Sequence, residues 1–460
     1  MGKKAENQLT IVQKLSYASG AIPGGLLAYV FGLYYIDFFY QDVGIPFEYM
    51  VVGLIIYAVV NAINDPLLGQ LSDKTDRKKW GGRRIPYIKY GAPVWALSFV
   101  LLWFPWSFSN EIIMVIHYTV TICGYDMMLT LVILCWMALL PEMTSNIDER
   151  NKVNFLVLLI GFFGLLPFFI IVPIMKDAGL QAFQFINIFI AIISVICYMI
   201  TVHFSEEKPE FQSDEVFNLK TSIKEVLKYK SFRAYVGYNF CVSFNGAIGL
   251  SFLFAYVHLI GGGTGATLTY LGIFLLVGYG SYILCMYLRS KWSMRTIILR
   301  FGFIKAIGAV GFFFLILIPI FDNPDFIRIG MIWSIFFSGF GIFNTNLNYL
   351  MMDEDEVKHG TRREGMFLGM NALFIKPAGS FGPIIGLAFL EAFGFVKNAT
   401  IQTPDAIFGI KLLYFIVPAI VLLIGLMFLY FYPLHGERLK ELEEKLAIIH
   451  QEKKEKFKTL

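Results

Sequence analysis

The chain has 460 residues, of which 57% are hydrophobic and only 16% charged, with a mean hydropathy of +0.64. A soluble domain of this size cannot bury so much apolar surface, so the composition excludes one and calls for a lipid solvent. The net charge of +4 is too small to suggest nucleic acid as a partner, and the five cysteines, Cys123, Cys135, Cys197, Cys241 and Cys285, fall inside apolar runs without metal-ligand spacing, so neither a disulfide framework nor a zinc site is expected.

Apolar runs of roughly 20 residues, the length that crosses a hydrocarbon core of about 30 Å, recur along the chain. They are predicted at 15–39, 48–71, 88–107, 112–140, 152–175, 181–203, 231–260, 266–288, 297–320, 325–350, 366–394 and 405–432. The first is too long for a cleaved signal peptide and lacks a small-residue cleavage site, so it reads as a retained span. The expected fold class is all-α, a polytopic membrane protein of twelve transmembrane helices. A long polar loop at 204–230 divides it into an N-terminal six-helix lobe, 1–203, and a C-terminal one, 231–432. In the tail, 433–460, Leu439, Leu442, Leu446 and Ile449 recur at helical spacing among Lys and Glu, which predicts a surface helix. About 32 of the 38 Lys and Arg residues fall on one side of this topology, so both termini are expected in the cytoplasm.

In the first span, Pro23, Gly24 and Gly25 weaken the helix and open space beside it; the plainer reading is a kink. Asp37, near the far end of that span, and Glu391, in the eleventh, suit an extracellular gate or interface. In the second span, Asp65 sits in an apolar helix, where an ionised Asp costs about 2.5–3.5 kcal/mol unless it faces the bundle interior. Asn61 and Asp65 share a face, Asn64 adds an oxygen, and Pro66 frees a backbone carbonyl nearby. Oxygen donors clustered at depth suit a small hard cation or a proton; the plainer alternative is an Asp paired for packing.

The loop that follows carries Asp73, Arg77, Arg83 and Arg84 around Gly81 and Gly82, a pattern that suits an ion-pair latch between lobes or simple positive-inside charge. In the fourth span, Asp126 precedes Thr130 by one turn on the same face and offers the cavity a carboxylate. Trp136, farther along, is either a platform for a sugar ring or packing. Glu142 and Arg150 end this region, and Asp353 with Arg362 and Arg363 mirrors the charged loop of the first half. Lys376 lies about ten residues, or about 15 Å, inside the eleventh span, too deep to snorkel easily, with Asn371 five residues before it.

Three stretches in this order and spacing resemble one transporter family: Asn64-Asp65-Pro66 with Gly69, Asp73 to Arg84 and Pro86; Ala138-Leu139-Leu140-Pro141-Glu142 with Glu149-Arg150; and Asp353 to Gly365 followed by Lys376. The chain resembles the glycoside-pentoside-hexuronide:cation symporter family of the major facilitator superfamily, melibiose permease-like. The resemblance implies a major-facilitator fold and symport of a sugar or glycoside with Na⁺, Li⁺ or H⁺. It implies a cation site at Asn64, Asp65 and Thr130, with Asn61 standing where the family has a carboxylate, and a helix-XI lysine at Lys376. A site of lower negative charge holds Na⁺ less firmly, which makes protonation of Asp65 an alternative. The family's sugar-clamping residues align with Gly25, Ile133 and Leu158, so galactoside specificity is unsupported. An amphipathic substrate such as a lysolipid, and an uncoupled facilitator, are the competing readings.

The six histidines are scattered with no pair at i, i+4, so no enzyme is expected. No cofactor is expected beyond Na⁺ or H⁺ as coupling ion. The expected partners are a small-molecule sugar or glycoside and membrane lipid, around a monomer in the cell membrane.

Overall fold

The computed structural model describes residues 8–207 apart from 74, 76, 145 and 146, together with 224–359 and 364–459. Each predicted apolar run becomes a helix. α1 spans Ile11–Asp42, α2 Phe47–Asp73, α3 Ile85–Leu102, α4 Glu111–Met143, α5 Lys152–Asp177 and α6 Leu180–Phe204. α7 spans Lys230–Ser251 and continues, after a 60° bend, as Leu253–Ile260. α8 spans Gly263–Leu288, α9 Met294–Leu315, α10 Pro324–His359, α11 Glu364–Ala392, α12 Pro404–Tyr430 and the surface helix α13 Glu437–Thr459.

These helices are apolar nearly all round because one face meets the bundle and the other meets lipid. Phe185, Leu276, Ile283 and Ile320 accordingly stand exposed on the outside while Trp95, Trp103, Tyr118 and Tyr198 fill the core. Local chemistry sets the ends and breaks. Thr10 and Gln13 form a reciprocal capping box at the start of α1. α10 is broken at Gly339–Phe343, where Ser281 of α8 accepts a hydrogen bond from the Gly339 amide at 3.1 Å. A Cβ on Gly339 would lie 2.2 Å from the Ser281 Oγ, so this crossing requires glycine.

The helices form two six-helix halves. α2 packs on α4 in the first half and α7 on α12 in the second; α2 on α11, α1 on α7 and α5 on α8 join the halves. Twelve crossings place the start of α1 and the tail helix on one face, which also carries most of the Lys and Arg. We call it the basic face and its opposite the far face. The packing of α2 against α4 decides the site. A Cβ at Gly53 would stand 2.7 Å from the Tyr118 ring, so the glycine lets the two helices approach closely.

Candidate ion and substrate site

Tyr57, Asn61 and Asn64 are spaced i, i+4, i+7 and therefore line one face of α2; Asp126 and Thr130, at i, i+4, line the facing side of α4. All five are buried. Tyr57 donates its hydroxyl to Asp126 Oδ1 at 3.2 Å and accepts from Asn61 Nδ2 at 3.3 Å. Asn64 Nδ2 donates to Asp126 Oδ2 at 2.5 Å and lies 3.4 Å from Thr130 Oγ1. From the other half, Lys376 reaches in on α11. Its ammonium donates to Asn64 Oδ1 at 3.0 Å and to Thr130 Oγ1 at 3.1 Å. A positive charge from the second half is thus held by two oxygens of the first, and the Asn64 amide passes the contact on to the Asp126 carboxylate.

The expected cation ligands Asn61, Asn64 and Thr130 therefore do come together, with Asp126 among them. The backbone of Asp65 belongs to α2; its side chain lies outside the described residues. Asn371 sits apart from this cluster, buried in the second half, with its Oδ1 3.4 Å from Asn239 Nδ2 of α7. Gly25 adjoins open space, since a Cβ built on it meets nothing within 4 Å. Trp136 is placed by packing. Its indole stacks on Tyr17 at 5.1 Å and donates to the Tyr17 carbonyl at 3.1 Å, while the Tyr17 hydroxyl donates back to the Trp136 carbonyl at 3.0 Å. Gly20, whose Cβ would lie 2.5 Å from the indole nitrogen, makes room for it against α1.

Comparison with known proteins decides the family. The model for the MFS/sugar transport protein family matches residues 16–436. The chain belongs to that family. Among its relatives, an uncharacterized symporter of Synechocystis is 30% identical over 41% of this chain and 36% of that protein. The glucuronide carrier protein homolog of Escherichia coli is 23% identical over 93% of both chains. The sodium-dependent lysophosphatidylcholine symporter 1 of Xenopus tropicalis is 26% identical over 33% of this chain and 29% of that one. The solved D-xylose-proton symporter superposes with a TM-score of 0.66 at 13% identity, covering 92% of this chain and 98% of that one, which shows the same fold. This transporter is a multi-pass membrane protein, and its relatives carry solutes.

In this MFS transporter the residues expected to latch the lobes pair inside one half. Arg83 and Arg84 both reach Glu142 Oε1, at 3.0 and 3.1 Å, and Arg84 also donates to Ser72. Arg150 donates to the carbonyls of Thr144 and Pro141, capping the end of α4. Asp353 is half-buried in α10, whose neighbouring Glu354 accepts from Ser231 and pairs with Lys358. The side chains of Asp73 and Arg77, and Arg362 and Arg363 altogether, lie outside the described residues.

The halves meet by hydrogen bonds on the far face. Tyr40 donates to Glu391 at 3.1 Å, and Lys397 lies over the Tyr40 ring and donates to the Ile45 carbonyl at 2.9 Å. Asn398, in the left-handed region at φ 56°, accepts no strain penalty of note for an Asn and exchanges two hydrogen bonds with Gln41. The reading of Glu391 as an interface residue agrees with this placement. Two contributors escaped the sequence reading. Tyr57 had a signal, being one turn before Asn61 on its face. Glu207 had none beyond its charge, yet its carboxylate accepts from the amides of Arg83, Arg84 and Ile85 at 2.6–2.7 Å and so caps α3 from the end of the first half.

Proposed function

We propose that this transporter is a cation-coupled symporter of a sugar or glycoside that works by alternating access, with the basic face and both termini in the cytoplasm. The observation that carries the reading is the seat of Lys376. An ammonium is bound by Asn64 and Thr130, oxygens the sequence assigns to a coupling cation, and it comes from the opposite half. An ion that takes those oxygens removes a bond between the halves, which is what coupling ion binding to rocking requires. The positive-inside distribution supports the orientation. The glucuronide carrier homolog, similar along nearly the whole chain, supports the substrate class.

Asp65, four residues from Asn61 on the same helix, is assigned the ionised ligand or the proton carrier. Asp65→Asn is expected to leave the protein folded in membranes and to abolish ion-driven accumulation; unchanged uphill uptake would remove Asp65 from the mechanism. The decisive experiment is radiolabelled uptake into proteoliposomes of pentosides, hexosides, uronides and lysolipids, with an imposed Na⁺ or H⁺ gradient and with none. Gradient-dependent accumulation of a sugar or glycoside is expected.

A second reading is favoured by one feature. The positions aligned with sugar clamps carry Gly25, Ile133 and Leu158, none of which offers a side-chain hydrogen bond. Uptake confined to lysolipids would establish an amphipathic substrate, and uptake that only equilibrates would establish an uncoupled facilitator.

A further inference from the structure

We propose that Asp126 is the anionic ligand of a monovalent metal-cation site whose place Lys376 holds in this conformation. The inference rests on the symport reading above and changes the role of Asp126 from substrate contact to ion ligand. Both carboxylate oxygens are turned toward α2, Oδ1 to the Tyr57 hydroxyl and Oδ2 to the Asn64 amide, so the group faces the lining of the Lys376 seat. Asn64 is the hinge of the arrangement: its oxygen holds the ammonium while its nitrogen touches Asp126.

A further oxygen points the same way. Asn61 Oδ1 is buried and has no hydrogen-bond partner among the described residues, although its own amide nitrogen is engaged by Tyr57. Buried carbonyl oxygens are ordinarily satisfied, so a lone one beside a carboxylate, an amide oxygen and a hydroxyl calls for a bound species that only accepts electron pairs. The donor set is therefore Asp126, Asn61, Asn64 and Thr130: hard oxygens with no nitrogen or sulfur ligand, the chemistry of an alkali or alkaline-earth ion. Charge selects between these. Replacing one ammonium by one monovalent ion leaves the charge of the site unchanged, whereas a divalent ion adds an unbalanced positive charge at depth in an apolar bundle.

Exchange also explains how occupancy reaches the lobes. Asn61, Asn64, Asp126 and Thr130 all belong to the first half and Lys376 to the second, so ion and lysine compete for the same oxygens and each weakens the hold of the other by the same factor. The test is ion binding to the purified full chain in lipid nanodiscs without any sugar. NaCl and LiCl are titrated against choline chloride at constant ionic strength, and thermal stability is the readout.

The wild type is expected to be stabilised by Na⁺ or Li⁺ and not by choline. Asp126→Asn is expected to weaken that binding by about tenfold or more, and Lys376→Met, which removes the tethered competitor, to tighten it by about tenfold. Unchanged affinity in Asp126→Asn, or unchanged or weaker affinity in Lys376→Met, overturns the proposal. If Asp126→Asn does not fold, Lys376→Met decides alone. A wild type that ignores Na⁺ and Li⁺ yet accumulates sugar on a pH gradient refutes the metal site and leaves symport standing. Ion binding with the expected variant pattern but no gradient-driven uptake does the reverse.

Discussion

On the far face, a tyrosine hydroxyl, a lysine on a backbone carbonyl and an asparagine on a glutamine join one half of the bundle to the other. On the basic face, where charge is densest, Arg83, Arg84 and Glu142 join helices of the same half, and Glu207 caps α3 from within it. The difference follows from what each contact must survive. Contacts between halves have to break in every transport cycle, so a small number of modest hydrogen bonds suits them. Contacts within a half must persist while the half moves as a body, and buried multi-partner ion pairs, costly to break, suit that purpose.

The comparison fails first if the ion pairs on the basic face are a moving latch. Glu142→Ala leaves two largely buried guanidiniums without this partner, and breaking a buried pair typically costs about 3–5 kcal/mol. The expected outcome is a clear loss of thermal stability with the transport rate per folded molecule retained. An unaltered unfolding transition combined with a shift in which face is accessible would make Glu142 a gate.

The far face predicts the opposite phenotype. Tyr40→Phe removes only the hydroxyl that reaches Glu391, a hydrogen bond to a charged group worth about 1.5–3 kcal/mol. Global stability is expected to hold, while labelling of a cysteine introduced at Thr267, which lines the cleft between the halves on that face, accelerates by about tenfold. Lost stability with unchanged labelling would place Tyr40 in the core of one half instead.

This contrast also marks what the sequence could disclose. The twelve spans and the bipartite order were legible because hydropathy is a property of composition over about twenty residues, insensitive to detail. Asn61, Asn64, Asp126, Thr130 and Lys376 were legible because polar groups at membrane depth are costly, and helical spacing assigns their faces. Partners were not. Nothing in the chain says that Arg83 and Arg84 turn toward Glu142 of α4, since a charged loop reads alike whether it pairs within or between halves. The far-face contacts of Lys397 and Asn398 end on backbone carbonyls of Ile45 and Gln41, groups every residue has, so no side-chain pattern announces them. Trp136 shows the same limit at one residue: an aromatic in an apolar helix carries no sign of which neighbour it will stack on.

A smaller effect sharpens the account of the basic face. Glu149 lies just ahead of the α5 span and accepts hydrogen bonds from Lys14, first, and Lys152, with the Lys14 contact at 2.5 Å and the Lys152 contact at 2.9 Å. These lysines pull its carboxyl from the ordinary 4.5 down to about 2, against the opposing effect of burial. A carboxylate depressed in the folded state adds stability that is complete above its ordinary value and is lost as pH falls from about 4.5 to about 2. Glu149→Gln is therefore expected to flatten that part of the stability profile and to leave the midpoint order at neutral pH and below much closer together. An acid limb identical to the wild type would show that other carboxylates set it.

The smallest effect concerns Trp136, where packing and substrate contact make different demands. The indole N–H reaches the Tyr17 carbonyl between two helices of the same half, so it belongs with the persistent contacts. Trp136→Phe keeps an aromatic ring and loses that bond, for a cost of about 0.5–1.5 kcal/mol. Stability should fall by about that amount while KM for the transported solute stays at the wild-type value. A KM raised several-fold with stability intact would instead turn the ring toward the cavity in another conformation of the cycle, because only a group that touches the solute changes its binding without changing the fold.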